Sequence, residues 1–164
     1  MTFQEQLVKY SEYNIWANTK FIDILKSMDE SDLDHEQVSS FSSLRKTFYH
    51  IWDAQSIWYM RLSGESLAGF PSKDFKGTTE EALELFHQSS VALSDYIKTI
   101  SDESLNQSLD YKNLKGEPFT SDLHDILHHV LNHSTFHRGQ LVTMLRNVGI
   151  TTIPSTDFIT YCRL

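Results

Sequence analysis

The stretch from Asp122 to Asn147 constrains the fold more than any other part of this sequence. Apolar side chains recur in it at steps of three and four residues, the spacing that lines one face of an α-helix. These positions are Leu123, Ile126, Leu127, Val130, Leu131, Leu141, Met144 and Leu145. A helix with such a stripe has to bury it against neighbouring elements. We expect Thr120 or Ser121 to cap its start and Gly149 to close it.

Three earlier stretches show the same helical spacing. Thr2 with Glu5, and Thr78 with Glu81, each fit a capping box, and Ser42 or Ser43 is a suitable N-cap. The predicted helices cover residues 2–27, 42–62, 78–100 and 121–149. Four long amphipathic helices in 164 residues predict an all-α four-helix bundle, formed by a single domain over residues 1–164.

The segments between the helices carry weaker signals. Residues 105–111 alternate in polarity and a turn-like run follows at 113–116, which predicts a short hairpin before the last long helix. Residues 63–77 contain three glycines and a proline and predict a loop that could cover one end of the bundle. The segment 157–164 is expected to pack against the bundle.

Composition excludes several classes of protein. The formal net charge of −8 argues against binding nucleic acid through phosphates, which requires an excess of Lys and Arg. No run of about eighteen apolar residues exists to span a membrane. The first residues show neither a basic start nor an apolar run, so no signal peptide is expected. Cys162 is the only cysteine, which is compatible with a reducing compartment, and the expected location is the cytoplasm.

Five of the eight histidines lie in the last long helix, where several pairs stand one turn apart. His133 and His137 fall in line with Val130, Leu141 and Met144, so their face should point inward. The other pairs are His124 with His128 and His129 with His133, and spacing alone does not choose among them.

His50, on the second predicted long helix, could face His133 and His137 across the core. Three imidazoles from two helices, with a fourth position left open, are typical of a catalytic metal site. Asp53 and Gln140 could each orient a ligand ring. The simpler interpretations are that His50 is an ordinary core histidine or that the histidine-rich helix is a pH-sensitive face without an ion.

Two segments resemble a known family. The segment LRKTFYHIWDAQSIW around His50 and the run NHSTFHRGQL at 132–141 resemble the DinB/YfiT-like family of metal-dependent four-helix-bundle proteins. The opening YNIWAN at 13–18 and the closing TDFITYCRL also match, so the resemblance covers essentially the whole chain. It implies a bundle that binds a divalent metal through His50, His133 and His137. Members of the family include transferases and isomerases that use bacillithiol, mycothiol or glutathione.

These observations predict a metal-dependent enzyme, first of all a transferase that acts on a bacillithiol-like low-molecular-weight thiol and an electrophile. The alternatives are a metal-dependent hydrolase, with Asp53 as the nearest candidate general base, and a non-enzymatic metal-binding or stress-response protein. Zinc and nickel are the first choices of metal, although imidazole ligands suit several transition metals. His129 is a substrate-facing residue or an alternative ligand in this scheme. Apolar residues left over on the first or third long helix could pair two bundles into a homodimer.

A polar residue interrupts the apolar stripe of the first helix. Asn14 stands at a position where the helical spacing calls for an apolar side chain. We expect it to fix the register of the bundle through a polar partner rather than to support the metal site.

Overall fold

A computed structural model of the chain describes residues 1–65 and 69–164. The four long helices are α1 (Phe3–Lys26), α3 (Leu44–Ser63), α4 (Thr79–Thr99) and α5 (Leu123–Asn147). Two short helices, α2 (Glu30–Leu33) and α6 (Phe158–Tyr161), flank them. A 3₁₀ turn at Ser104–Asn106 leads into the strands β1 (Ser108–Lys112) and β2 (Pro118–Asp122).

The long helices pack in the cyclic order α1, α4, α3, α5, so α1 and α3 lie diagonally opposite. This arrangement confirms the predicted all-α four-helix bundle. It also places α3 and α5 side by side, which is what lets a histidine of one helix meet histidines of the other. Nowhere in residues 1–65 and 69–164 is there a helix long and apolar enough to cross a membrane.

Two apolar clusters form the core, one towards each end of the bundle. The first cluster contains Phe21, Leu25, Phe48, Phe86, Leu141 and Leu145 among others. The second contains Leu7, Leu93, Ile97, Leu127, Val130 and Leu131 among others. Between them lies a polar belt of buried side chains, which we define as Ser11, Asn14, Asn18, Gln55, Ser90, Ser94, Ser134 and Arg138.

The ends of the helices follow from local side-chain hydrogen bonds. The Thr2 hydroxyl accepts from the Glu5 amide at 3.2 Å, and the Glu5 carboxylate accepts from the Thr2 amide at 2.7 Å. Thr78 and Glu81 form the same reciprocal pair, which confirms both predicted capping boxes. The Ser43 hydroxyl caps α3 in the same manner, accepting from the amide of its third residue.

The predicted start of α5 was wrong. Asp122 is its N-cap and makes no side-chain capping bond, whereas Thr120 and Ser121 belong to β2. The strand pairs β2 antiparallel with β1 from Ser108 opposite Asp122 to Lys112 opposite Pro118. Pairing with β1 keeps Thr120 and Ser121 extended, so they cannot begin the helix.

The hairpin itself was predicted. Its turn contains Gly116 at φ +84°, a backbone angle that residues other than glycine rarely adopt. The short helix α2 was not predicted, and it lies between the first two predicted helices. Residues 66–68 of the predicted loop over 63–77 lie outside the described residues, so the covering role of that loop stays a prediction.

The C-terminal segment packs on α1, as expected. The ring of Phe158 meets Tyr10 and Tyr13 edge-on, with centroids 5.3 and 5.1 Å apart. The Tyr13 hydroxyl donates to the backbone carbonyl of Thr156 at 2.7 Å. These contacts cover the part of α1 around Tyr10 and Tyr13.

Candidate metal centre

Three imidazoles meet at the seam between α3 and α5. His50 projects from α3, and His133 and His137 project one turn apart from α5. The Nε2 atom of His133 lies 2.9 Å from Nε2 of His50 and 3.1 Å from Nε2 of His137. One ring nitrogen of each residue falls within 4.8 Å of the other two. The structure therefore brings together the three histidines that the sequence predicted as ligands.

Burial keeps these rings uncharged. Desolvation, followed by the neighbouring His137, lowers the pKa of His50 to about 4. Desolvation and the three surrounding histidines lower the pKa of His133 to about 3. Burial also lowers the pKa of His137, against the raising effect of a hydrogen bond to Gln140. At neutral pH all three are neutral imidazoles, the form that binds metal ions.

Gln140 fixes the orientation of the His137 ring. Its Oε1 lies 2.7 Å from Nδ1 of His137, while its Nε2 donates to the Ser40 hydroxyl at 2.7 Å. Because an amide oxygen only accepts, Nδ1 of His137 carries the proton, and the Nε2 lone pair points at the other two histidines. The prediction that Gln140 could orient a ligand ring is confirmed in geometry.

A divalent metal fits this donor set. Nitrogen atoms that share one tetrahedral Zn²⁺ at about 2.0–2.1 Å lie about 3.3 Å apart. The Nε2 atom of His133 lies at similar distances, 2.9 and 3.1 Å, from those of His50 and His137. Nδ1 of His133 is buried without a hydrogen-bond partner among the described residues. A neutral His133 has one proton and two close Nε2 neighbours, so it can donate to only one of them. A cation at the meeting point would satisfy all three lone pairs together.

Aromatic side chains enclose the centre. Phe41, from the connection before α3, stacks on His50 with centroids 4.1 Å apart. Phe136 meets His137 edge-on at 5.0 Å. On the other side, the ring of His129 lies 5.7 Å from that of His133 and belongs to an exposed residue. Sequence reasoning missed Phe41, because nothing in residues 29–41 indicates that this connection folds back onto the histidines.

Asp53 does not orient His50. Its carboxylate accepts from the Ser72 amide at 2.8 Å and from the Ser72 hydroxyl at 2.6 Å. Desolvation raises the pKa of Asp53, and the two bonds from Ser72 oppose that rise. The expectation that Asp53 orients His50 is therefore wrong in this structure. Asp53 instead ties α3 to the segment that follows residue 69.

The other histidine pairs on α5 serve different contacts. Nδ1 of His124 lies 3.3 Å from the carbonyl oxygen of Leu105, and the His128 ring packs edge-on against Phe3. His129 contacts His133 but lies outside the group of converging nitrogen atoms. Of the pairs that spacing left open, only His133 and His137 meet His50 within the described residues.

The polar belt anchors α5 directly beside the centre. Arg138, 2% exposed, follows His137 in sequence and donates to the side-chain oxygens of Asn14 at 2.6 Å and Asn18 at 2.9 Å. Asn14 also donates to Gln55 on α3 at 2.7 Å. The belt therefore links α1, α3 and α5, and Asn14 has the polar partners that were expected of a register-fixing residue.

Comparison with known proteins gives one consistent family. The family model described as "DinB family" matches residues 1–163. The protein DinB of Bacillus subtilis (strain 168) is 30% identical over 158 residues, covering 93% of this chain and 91% of that protein. YizA from the same organism is 22% identical over 153 residues, covering 93% of this chain and 94% of its own length.

Solved structures agree in fold. A DinB-like protein of Bacillus cereus superposes with a TM-score of 0.72 at 18% identity, covering 94% of this chain and 99% of that one. A DinB-like protein of Bacillus subtilis gives a TM-score of 0.70 at 14% identity, covering 93% and 98%. At these identities the likeness concerns the fold. Together with the family model and the 30% identical relative, it shows that this chain belongs to the DinB family.

Proposed function

We propose that the protein is a metal-dependent transferase that joins a low-molecular-weight thiol to an electrophile. The convergence of three neutral imidazoles at the α3–α5 seam carries this proposal. A divalent ion held by His50, His133 and His137 would supply Lewis acidity, which would lower the pKa of a bound thiol. Zinc and nickel remain the first choices, and bacillithiol is the first choice of thiol.

The charge of the ligand set favours an anionic fourth partner. His50, His133 and His137 bring no negative charge, so the two positive charges of the ion are not compensated by the protein. Across the described residues, the group of converging ligand atoms at this seam contains no carboxylate. A thiolate supplies the missing charge, and burial of the three rings strengthens that attraction by excluding water.

The hydrolase alternative has less support. It needs a carboxylate to act as general base near the attacking water. The sequence offered Asp53 for this role, but both of its oxygens accept hydrogen bonds from Ser72. A non-enzymatic metal-binding role remains the main competitor.

Metal content is the first test. Elemental analysis of the purified, untagged protein should find about one transition-metal ion per chain, and His50→Ala should lose it. His128→Ala is the matched control, because His128 lies on α5 but packs against Phe3 instead of the centre. A wild-type protein that carries no metal and takes up neither Zn²⁺ nor Ni²⁺ would rule out the metal-dependent enzyme.

Thiol transfer is the second test. The zinc-loaded protein should accelerate the reaction of bacillithiol with monochlorobimane, a general electrophile, and His133→Ala should remove the acceleration. A protein that binds one ion per chain but does not accelerate the conjugation of bacillithiol, glutathione or cysteine would overturn the proposed transferase activity. Such a result would favour the non-enzymatic metal-binding role.

Location and assembly remain proposals. We infer a cytoplasmic protein. The net charge of −8 supports the further inference that it has no nucleic-acid partners. A homodimer through leftover apolar surface is the proposed assembly, and sedimentation analysis of the purified protein tests it.

A further inference from the structure

A cleft of about 610 Å³ lies beside the end of α3, between that helix and the hairpin. Arg61 from the last turn of α3 and Tyr111 and Lys112 from β1 line it. Arg61 follows His50 by about three turns of helix, roughly 16 Å along the axis, so both side chains project from the same face of α3. The cleft and the metal centre therefore lie on the same side of that helix.

A line of rings joins the two places. From His133 the next ring is His129 at 5.7 Å, followed by Trp58 at 5.6 Å from His129. Trp58 in turn lies 5.2 Å from the ring of Tyr111. An elongated small molecule lying along these rings would have one end at the metal centre and the other at Arg61.

The guanidinium of Arg61 is held in place by aromatic contacts. Its central carbon lies 4.5 Å from the ring centroid of Trp58 and 5.0 Å from that of Tyr111. These distances and the 5.2 Å between the rings make a nearly equilateral triangle, so the guanidinium fills the corner between two touching rings. Such contacts fix the position of an arginine without using any of its hydrogen-bond donors.

Those donors have no acceptor in the described part of the chain. Nε of Arg61 is buried without a hydrogen-bond partner, and no described carboxylate lies within 4 Å of the guanidinium. Nε of Arg138 also lacks a partner, but the other two nitrogens of Arg138 donate to three side-chain oxygens, and Arg45 pairs with two carboxylates. Arg61 has no such bonds among the described residues. A fixed fork of unused donors beside a cleft is the arrangement that binds carboxylate and phosphate groups.

Two carboxylates also line the cleft, and both are bonded elsewhere. Asp110 accepts from the Thr120 hydroxyl at 2.6 Å, within the hairpin. Glu65 accepts from the Ser63 hydroxyl at 3.0 Å. Neither forms an ion pair with Arg61 or Lys112 among the described residues.

We propose that this cleft binds the anionic group, a carboxylate or a phosphoryl oxyanion, of a small molecule, with Arg61 as its main contact and Lys112 as a second cation. That this molecule is the substrate of the metal centre rests on the proposed function. The anion site itself rests only on Arg61, its two aromatic neighbours and the cleft.

NMR titration of the full-length protein tests the site directly. The buried Nε–H of Arg61 should give a resolved ¹H–¹⁵N signal, because burial slows its exchange with water. Adding succinate or inorganic phosphate should shift this signal, and the amide of Lys112, in a saturable way. The anion that binds more tightly identifies the group. Absence of a saturable shift with both anions overturns the proposal.

Variants separate the site from general charge effects. Arg61→Gln should weaken binding about tenfold or more, as expected for loss of charge-assisted hydrogen bonds. Arg146→Gln, in the last turn of α5, is the matched control and should bind like wild type. Asp110→Asn should tighten binding, because it removes a negative charge from the lining. Binding that survives Arg61→Gln unchanged overturns the proposal. If Arg61→Gln does not fold, Arg61→Lys replaces it and should also weaken binding, because it loses the fork.

The same titration on His133→Ala separates this inference from the proposed function. Anion binding at Arg61 should be unchanged in that variant, even if thiol transfer is never observed. If transfer is observed, Arg61→Gln should raise KM for a carboxylate-bearing thiol more than for uncharged 2-mercaptoethanol. An equal change in KM for the two thiols would show that Arg61 does not contribute to substrate binding.

Discussion

At the scale of single residues, His133 occupies the middle of the centre. Its Nε2 lies within about 3 Å of the Nε2 atoms of both His50 and His137. Its pKa, about 3, is lower than the pKa of His50, about 4. Its Nδ1 has no described partner, in contrast to the Nδ1 of His137. His133 is thus the imidazole whose Nε2 is close to the Nε2 atoms of both other histidines.

Gln140 and Asp53 make a matched pair for testing ring orientation. Gln140→Ala removes the acceptor that fixes the His137 tautomer, so zinc affinity should fall about 10- to 100-fold. Asp53→Asn should leave zinc affinity nearly unchanged, because Asp53 bonds Ser72 rather than a histidine. Competition with a chromophoric chelator measures both. Equal losses of affinity in the two variants would contradict this assignment.

The ligand residues were predictable, whereas part of their surroundings was not. The step of four residues from His133 to His137, and the step of three to Gln140, are local helical geometry. The stacking of Phe41 on His50 depends on the path of an irregular connection, which no local pattern indicates. Asp53 was expected to orient His50 because the two are close in sequence. Instead, Ser72 from the loop after α3 donates hydrogen bonds to both carboxylate oxygens of Asp53.

At the scale of elements, the helix caps determine where α1 and α4 begin. Thr78→Ala removes the side chain that accepts from the Glu81 amide, so the free energy of unfolding should fall by about 1 kcal/mol. Thr143→Ala, at an exposed interior position of α5, should be neutral or slightly stabilising, because alanine favours helix. Urea unfolding followed by circular dichroism measures both. A loss in Thr143→Ala as large as that in Thr78→Ala would contradict a capping effect.

The polar belt couples α1 to α5. Asn14→Ala leaves the buried Arg138 without one of its acceptors and should lower the free energy of unfolding by about 2–3 kcal/mol. Asn132→Ala, exposed on α5, is the control and should have little effect. The double variant Asn14→Leu with Arg138→Met should lose less free energy of unfolding than the sum of the losses in Asn14→Leu and Arg138→Met alone. The reason is that the double variant no longer buries an uncompensated charge. Strict additivity would show that the two residues are not coupled.

Elements whose signals are local were predicted, and those that depend on a partner were not. The caps at Thr2, Ser43 and Thr78 each use a hydrogen bond within four residues, which a sequence displays directly. Thr120 and Ser121 look equally suitable as caps, but β1 pairs with them across the hairpin. The four residues of α2 are too few to show helical periodicity.

At the scale of the whole molecule, the half-buried His50 and His133 make the metal-free protein sensitive to acid. Unfolded imidazoles take up protons near pH 6.5, whereas the pKa of folded His50 is about 4 and that of folded His133 about 3. Between those values the unfolded chain binds more protons, so stability should be full above pH 6.5 and fall as the pH drops towards 4. Urea unfolding of chelator-treated protein at several pH values measures this dependence.

The double variant His50→Asn with His133→Asn isolates the contribution of the two histidines. It retains the carboxylates that also titrate in acid, but it lacks both shifted imidazoles. Its stability should fall less steeply between pH 6.5 and 4 than that of the wild-type protein. Parallel curves for the two proteins would show that these histidines do not control acid stability.

The division of the core into two apolar clusters has a mechanical consequence. The clusters meet at the polar belt, and His133 and His137 alternate along α5 with its members Ser134 and Arg138. An ion held there would join residues 83 positions apart in the chain, such as His50 and His133. The join would lie at the level of the polar belt, between the two apolar clusters. It would hold α3 and α5 together at the level of the polar belt, and because the site forms only in the folded chain, binding would stabilise the folded state. A bound ion would then couple the separation of α3 from α5 to the loss of the metal.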